Sequence, residues 1–143
     1  MGEIRVKIRL SNSADVINAK RGIIDPKTVR WLDTEGVIDT GAVRTIIPIA
    51  IMQRLGALEM DRTVAEYTDG RKDTVPVTEP IRVEIMDRWT SEEALVFGDE
   101  VLIGQTILEK LDLLADCANR RLLPNHPNQP VSKVRAVRSG KLS

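Results

Sequence analysis

Apolar and charged residues alternate from the start of the chain. Ile4, Val6, Ile8 and Leu10 fall on one side, and Arg5, Lys7 and Arg9 on the other. A period of two predicts a β-strand over Glu3 to Leu10, half-buried or at an edge, with a basic outer row that guards it. Ser11-Asn12-Ser13 reads as a turn. Asp15 to Ile24 reads as a strand-and-turn segment broken at Arg21-Gly22. Val29 to Leu32 is a short strand, and Asp33-Thr34-Glu35-Gly36 turns it back into a buried Val37-Ile38 strand. Ile46-Ile47 is another short strand.

The period then changes. Pro48 opens a helix whose apolar stripe is Ile49, Ile51, Met52 and Leu55, with Gly56 placed to end it. Two extended arms from Arg62 to Val77 flank Asp69-Gly70, a strong hairpin signal. Few large apolar residues lie near that tip, so nothing in the sequence pins it to a core. Ile81, Val83 and Ile85 make a strand, Asp87-Arg88 begins a turn, and Glu93 to Phe97 is a strand that Gly98-Asp99-Glu100 ends. Val101-Leu102-Ile103 leads through Gly104 into a helix with Ile107, Leu108 and Leu111 on one face. Strand, glycine and helix thus occur twice, a faint internal repeat in which Gly41 and Gly104 read as counterparts.

Composition narrows the function classes. The 143 residues suit one domain, and 21 basic residues balance 21 acidic ones, so no bulk field points to nucleic acid. Aromatic residues are 3% of the chain, too few for a single-strand stacking platform. The single cysteine, Cys117, leaves no internal disulfide and fits a reducing compartment. No leader pattern or long apolar run appears, so a soluble, cytoplasmic protein without membrane contact is expected. The single histidine, His126, lies in the proline-rich tail. One His and one Cys make no zinc set, and no Ser/His/acid system or phosphate loop is present. No metal or cofactor is expected. From Pro124 on, prolines and Lys133, Arg135, Arg138 and Lys141 occur without an acidic residue, which reads as a basic, flexible tail.

One stretch remains for chemistry: Val37-Ile38-Asp39-Thr40-Gly41-Ala42. It sets a carboxyl group at the end of an apolar strand, where it needs partners. Gly41 lets the backbone turn and bring its N–H to that carboxylate, and the Thr40 hydroxyl can hold neighbouring backbone. In these residues the chain resembles the retropepsin-like (retroviral-type) aspartic proteases, and their bacterial single-lobe relatives in particular. The proline-helix-Leu-Gly continuation, the Leu102-Ile103-Gly104 helix entry and Leu113 to Leu122, which resembles the family's closing hairpin with Ala118-Asn119 near its turn, extend the resemblance over roughly residues 3 to 125.

The resemblance implies an all-β-dominated fold, a single-lobe closed β-barrel with one or two short helices. It implies a domain over residues 1–125 followed by the tail over 126–143. Asp39 would be catalytic, with Thr40 and Gly41 positioning it. Ala42, Gly104 and a flap tip of Tyr67, Thr68, Asp69 and Gly70 would line the substrate site. Because the motif occurs once, the second carboxyl must come from another chain, so the implied enzyme is a homodimeric endopeptidase acting on polypeptide. One carboxylate would take a proton from water while the protonated partner polarises the scissile carbonyl. Asp33-Thr34 is a decoy, since Glu35 follows where glycine is needed. Viral members pair an acid after the alanine with an arginine after the second glycine; here those positions are Val43 and Gln105. That departure keeps open a catalytically silent dimeric domain that binds extended peptides, and beside it an adaptor β-domain in which Asp39 caps a turn.

Overall fold

The computed structural model describes residues 3–136. The strands are β1 (Ile4–Asn12), β2 (Trp31–Ile38), β3 (Thr45–Ile47), β4 (Glu59–Glu66), β5 (Lys72–Thr78), β6 (Ile81–Ile85), β7 (Arg88–Glu92), β8 (Ala94–Val96), β9 (Val101–Ile103), β10 (Leu113–Asp116) and β11 (Arg121–Pro124). Three short helices, α1 (Ser13–Lys20), α2 (Ile49–Leu55) and α3 (Gln105–Leu111), complete the regular structure with a 3-10 turn over Pro26–Thr28. The chain is β-dominated, as expected. It has one more helix than expected.

Nine strands form one sheet in the order β4-β5-β8-β3-β9-β2-β1-β6-β7, and β10-β11 form a separate pair. Among the described residues no ladder joins β4 to β7, so the expected closed barrel is not formed. The reason at the β7 end is that α3, not a strand, lies beside it: Lys110 Nζ donates to Ser91 O and pairs with Glu92. The core fills from Ile8, Leu10, Ile47, Ile81, Val83, Ile85 and Ile103 on the strands, with Leu55, Ile107, Leu108 and Leu111 from the helices. These are the apolar positions of the predicted stripes.

The centre of the sheet has an approximate two-fold relation. β2 runs parallel to β9 and β3 runs parallel to β8, while β3 and β9 meet antiparallel at Ile46 and Leu102. The outer neighbours match as well, since β1 is antiparallel to β2 and β5 to β8. α2 and α3 each follow the inner strand after one extended residue, Pro48 or Gly104, and each ends on a left-handed residue, Gly56 at φ 63° or Asp112 at φ 56°. Counted from the helices, Ile46 is the counterpart of Leu102, the very residue it faces. A two-fold axis through that contact requires this identity. The repeat is therefore real in the backbone, but its register differs from the sequence reading: Gly104 corresponds to Pro48, not to Gly41.

Four local expectations change. Asp33 to Gly36 is not a turn but the middle of β2, paired with Arg9 to Val6 of β1. Gly36 serves close packing there, because a Cβ would lie 3.1 Å from Ile8 Cδ1 and 3.2 Å from Ile103 Cγ1. Ser11-Asn12-Ser13 is no turn either, and Asp15 to Ile24 is not a strand: Asn12 ends β1 and caps α1, its side chain accepting from Asp15 N at 2.9 Å. Its amide also donates to Leu55 O at 2.8 Å, which fixes α2 against the start of α1. The turn expected at Asp87-Arg88 sits one residue earlier: Met86 and Asp87, both at positive φ, link β6 to a strand, β7, that the pattern does not predict.

The proximal tail is held. Asp112, whose side chain is 10% exposed, accepts from Asn125 Nδ2 at 2.9 Å, from His126 Nδ1 and from Val131 N at 2.9 Å. Buried Arg88 donates to Leu111 O, Asp112 O and His126 O, meeting carbonyls left free at the end of α3. His126 and Val131 lie past the expected boundary at residue 125; the basic positions Arg138 and Lys141 lie outside the described residues. The hydrogen bonds from Asn125 first, then His126 and Val131, depress the Asp112 carboxyl to a pKa of about 2. A depressed carboxyl contributes stability that is complete above its unfolded value of about 3.9 and fades as pH falls below it. Asp112→Asn is therefore expected to lower the thermal midpoint at neutral pH, with the gap to wild type closing as pH drops from about 4 to about 2.

Candidate functional site

Asp39 is the first residue beyond β2, half-buried at the end of the parallel ladder with β9. Its N–H donates to Ile103 O at 3.0 Å, extending that ladder by one bond. The chain then turns: Gly41 N donates to Asp39 Oδ1 at 3.1 Å and Ala42 N to Asp39 O at 3.1 Å. The expected approach of the Gly41 amide to the carboxylate is thus present. A Cβ on Gly41 would stand 3.4 Å from Asp39 Oδ1, ordinary contact, and Gly41 is not at positive φ, so neither clearance nor backbone conformation requires glycine here. Thr40 and Gly41 are exposed and Ala42 is half-buried.

Residues 39–44 are tied from below by the second strand-helix unit. Gln105 N, at the start of α3, donates to Ala42 O at 2.8 Å, and Thr106 Oγ1 donates to Val43 O at 2.8 Å. Gly104 lies directly under this crossing: a Cβ there would come within 2.6 Å of Val43 O and 2.9 Å of Arg44 O. Both are backbone atoms with no room to give. Gly104, expected in the substrate site, is thus brought to the Asp39 segment as the floor beneath it.

The two-fold relation gives Asp39 a counterpart. Phe97 follows β8 as Asp39 follows β2, and Phe97 N donates to Ile47 O at 3.1 Å as Asp39 N does to Ile103 O. Where one half has a carboxyl, the other has a phenyl ring. The chain holds a single acid at this level of the dyad.

The hairpin formed by β4 and β5 turns over Tyr67 to Arg71, with Gly70 at φ 89°. Its tip has one tertiary anchor the sequence did not reveal: Tyr67 meets Phe97 edge-on with ring centroids 5.8 Å apart. Arg71 stacks over the other side of Tyr67 at 5.1 Å and pairs with Asp69. Asp73 beside the Tyr67 hydroxyl holds its pKa above the usual value. Thr68 and Asp69 are exposed. Among the described residues no hydrogen bond, ion pair or ring contact joins the tip to Asp39.

Other features offer no competing centre. A groove of about 740 Å³ lies on the outer face of β1, β2 and β6, lined by Lys7, Arg9, Asp33, Glu35, Glu84 and Met86, away from Asp39. The decoy Asp33 is taken up there by Arg9, at 2.8 and 3.0 Å. Among the described residues no group of three His, Cys, Asp or Glu side chains could hold a metal. No helix among them is long and apolar enough to cross a membrane. The chain matches no protein-family model and no curated protein.

The sequence singles out Asp39, Gly41 and Gly104, which the structure brings together, but not Thr106 and Phe97, whose contacts exist only once the two units meet. Replacing Gly104 by alanine is expected to cost about 1–3 kcal/mol in urea denaturation, because the Val43 carbonyl must move. The amide of Gln105 should then exchange faster than in wild type.

Proposed function

We infer that the protein is an aspartic endopeptidase that acts as a symmetric dimer, with Asp39 of each chain contributing one half of the catalytic pair. The observation that carries this reading is the pairing of Asp39 with Phe97 about the internal dyad. Peptide hydrolysis by carboxyls needs two of them close enough to share one proton, and this lobe supplies one. A second copy, docked about an axis beside Asp39, supplies the other. The open surface around residues 39–44 agrees with half of a cleft, which encloses no volume until its partner arrives.

In such a dimer the ionised Asp39 accepts a proton from a water lying between the carboxyls. That water attacks the scissile carbonyl carbon while the protonated Asp39 donates to the carbonyl oxygen. Breakdown of the tetrahedral adduct returns a proton to the leaving nitrogen. The Gly41 amide, already on Oδ1, orients one carboxylate face, and Thr40 lies beside it. No covalent enzyme intermediate is required. The β4–β5 hairpin is the element able to cover an extended substrate, and adding backbone hydrogen bonds would fit its exposed tip.

Incubation of the full chain with a denatured polypeptide tests the reading. Wild type should give cleavage with an acidic optimum and a bell-shaped profile that belongs to the pair. Asp39→Asn and Asp39→Ala should lose at least about 1,000-fold in turnover while folding normally. Sedimentation should show wild type and Asp39→Asn dimerising alike. A wild-type chain that dimerises yet cleaves nothing at any pH would leave the peptide-binding reading in its place, and a strict monomer under cleaving conditions would defeat both.

A further inference from the structure

We propose that the outer edge of β4 pairs antiparallel with the β4 edge of a second copy, about a two-fold axis at Val64. β4 ends the nine-stranded sheet, and among the described residues no strand lies on its far side. Met60, Arg62, Val64 and Glu66 along it are all exposed.

Backbone parity decides which residues can take a partner. The β4–β5 register runs unbroken from Asp61 opposite Val77 to Glu66 opposite Lys72. Just past it, Tyr67 N donates to Arg71 O at 2.8 Å. Bonded and unbonded pairs alternate along an antiparallel ladder, so Thr63 and Ala65 bond to β5. Arg62 faces Pro76, which has no N–H to give. The N–H and C=O groups of Arg62, Val64 and Glu66 therefore point to the free edge, where β5 cannot use them.

Side chains select the occupant. Arg62, Val64 and Glu66 share one face of the strand. With the axis at Val64, that residue meets its own copy, Arg62 meets the partner's Glu66, and Glu66 meets the partner's Arg62. Glu66 is then flanked by Lys72 of its own β5 and the partner's Arg62, so charge alternates across the joined sheets. On the opposite face Thr63 meets the partner's Ala65, with no charge involved. Other registers lose this match. An axis at Arg62 or at Glu66 sets like charges opposite each other, and one at Thr63 or Ala65 leaves both charges unmatched. Within one chain these groups are loosely held: Arg62 lies 3.7 Å from Glu59, and Lys72 lies 3.7 Å from Glu66, all of them exposed. Charges on an edge ordinarily repel a neighbouring strand. Here they admit one register with one partner, a copy of the same strand. The patch is small, so the pairing is weak and depends on concentration. It does not rest on the paired-acid reading above.

Amide exchange on the full chain reads the pairing directly. Between about 10 μM and about 1 mM, the amides of Arg62, Val64 and Glu66 should slow about fivefold. Those of Thr63 and Ala65, bonded to β5, should already be slow at the lower concentration. Arg62→Glu and Glu66→Arg should each weaken self-association about tenfold in sedimentation, and an equimolar mixture of the two variants should restore it. In a Cys117→Ser background, Val64→Cys should oxidise to a cross-linked dimer, since its Cα atoms would stand about 5.5 Å apart. Met60→Cys, at a position 66% exposed against 61% for Val64, should not, because its copies would stand about 26 Å apart. Fast exchange at residues 62, 64 and 66 at every concentration would overturn the proposal and leave the paired-acid reading untouched. So would a mixture of the charge variants that associates no better than either alone. If those amides slow only when a denatured polypeptide is added, the edge takes peptide and self-pairing fails. Slowing with concentration in a chain that cleaves nothing keeps the edge pairing and defeats the paired-acid reading.

Discussion

Two parallel ladders lying back to back on one antiparallel contact constrain everything else in this fold. Parallel neighbours cannot be joined by a tight turn. β2 reaches β9 only after the chain has built α2 and β3 to β8, and β3 reaches β8 only after α2 and β4 to β7. The end of β9 therefore passes beneath the segment that leaves β2. At this crossing Gly104 lies under Val43 and Arg44, and no side chain larger than hydrogen fits. The shape of the Asp39 segment follows from that crossing as much as from its own residues.

The helices that flank this centre were legible because their signals are local. Pro48 and Gly56 mark the ends of α2, and Ile107, Leu108 and Leu111 mark one face of α3 at helical spacing. The β4–β5 hairpin announced itself through Asp69-Gly70. What misled were residues whose job is set by partners distant in sequence. Gly36 looks like a turn glycine but makes room for Ile8 and Ile103. Asn12 looks like a loop residue but caps one helix and holds the end of another. Arg88-Trp89-Thr90-Ser91-Glu92 is too polar to read as a strand, and it is one because it pairs along β6.

The same division applies to the candidate site. Asp39, Thr40 and Gly41 stand out because a carboxyl between a buried strand and a glycine is unusual chemistry in a short stretch. The Gly41 amide fulfils the local expectation. Phe97 and Thr106 carry no such mark. Phe97 matters because the two-fold relation pairs it with Asp39, and Thr106 because it reaches Val43 from across the sheet. Gly41 and Gly104 looked alike as glycines closing strands, yet only at Gly104 would a side chain collide with its surroundings. A repeat legible in residue types was shifted in register because the two connecting segments, 39–44 and 97–100, differ in length.

The separation between Val43 and Thr106, 63 residues along the chain, has a consequence for how the molecule comes into being. During synthesis from the N-terminus, the Asp39 segment emerges long before the strand and helix that give it a shape, and long-range closure of this kind is the slow part of β-rich folding. A nascent chain therefore carries its acid in an unformed loop. The segment that carries the acid takes its shape only after synthesis has passed α3.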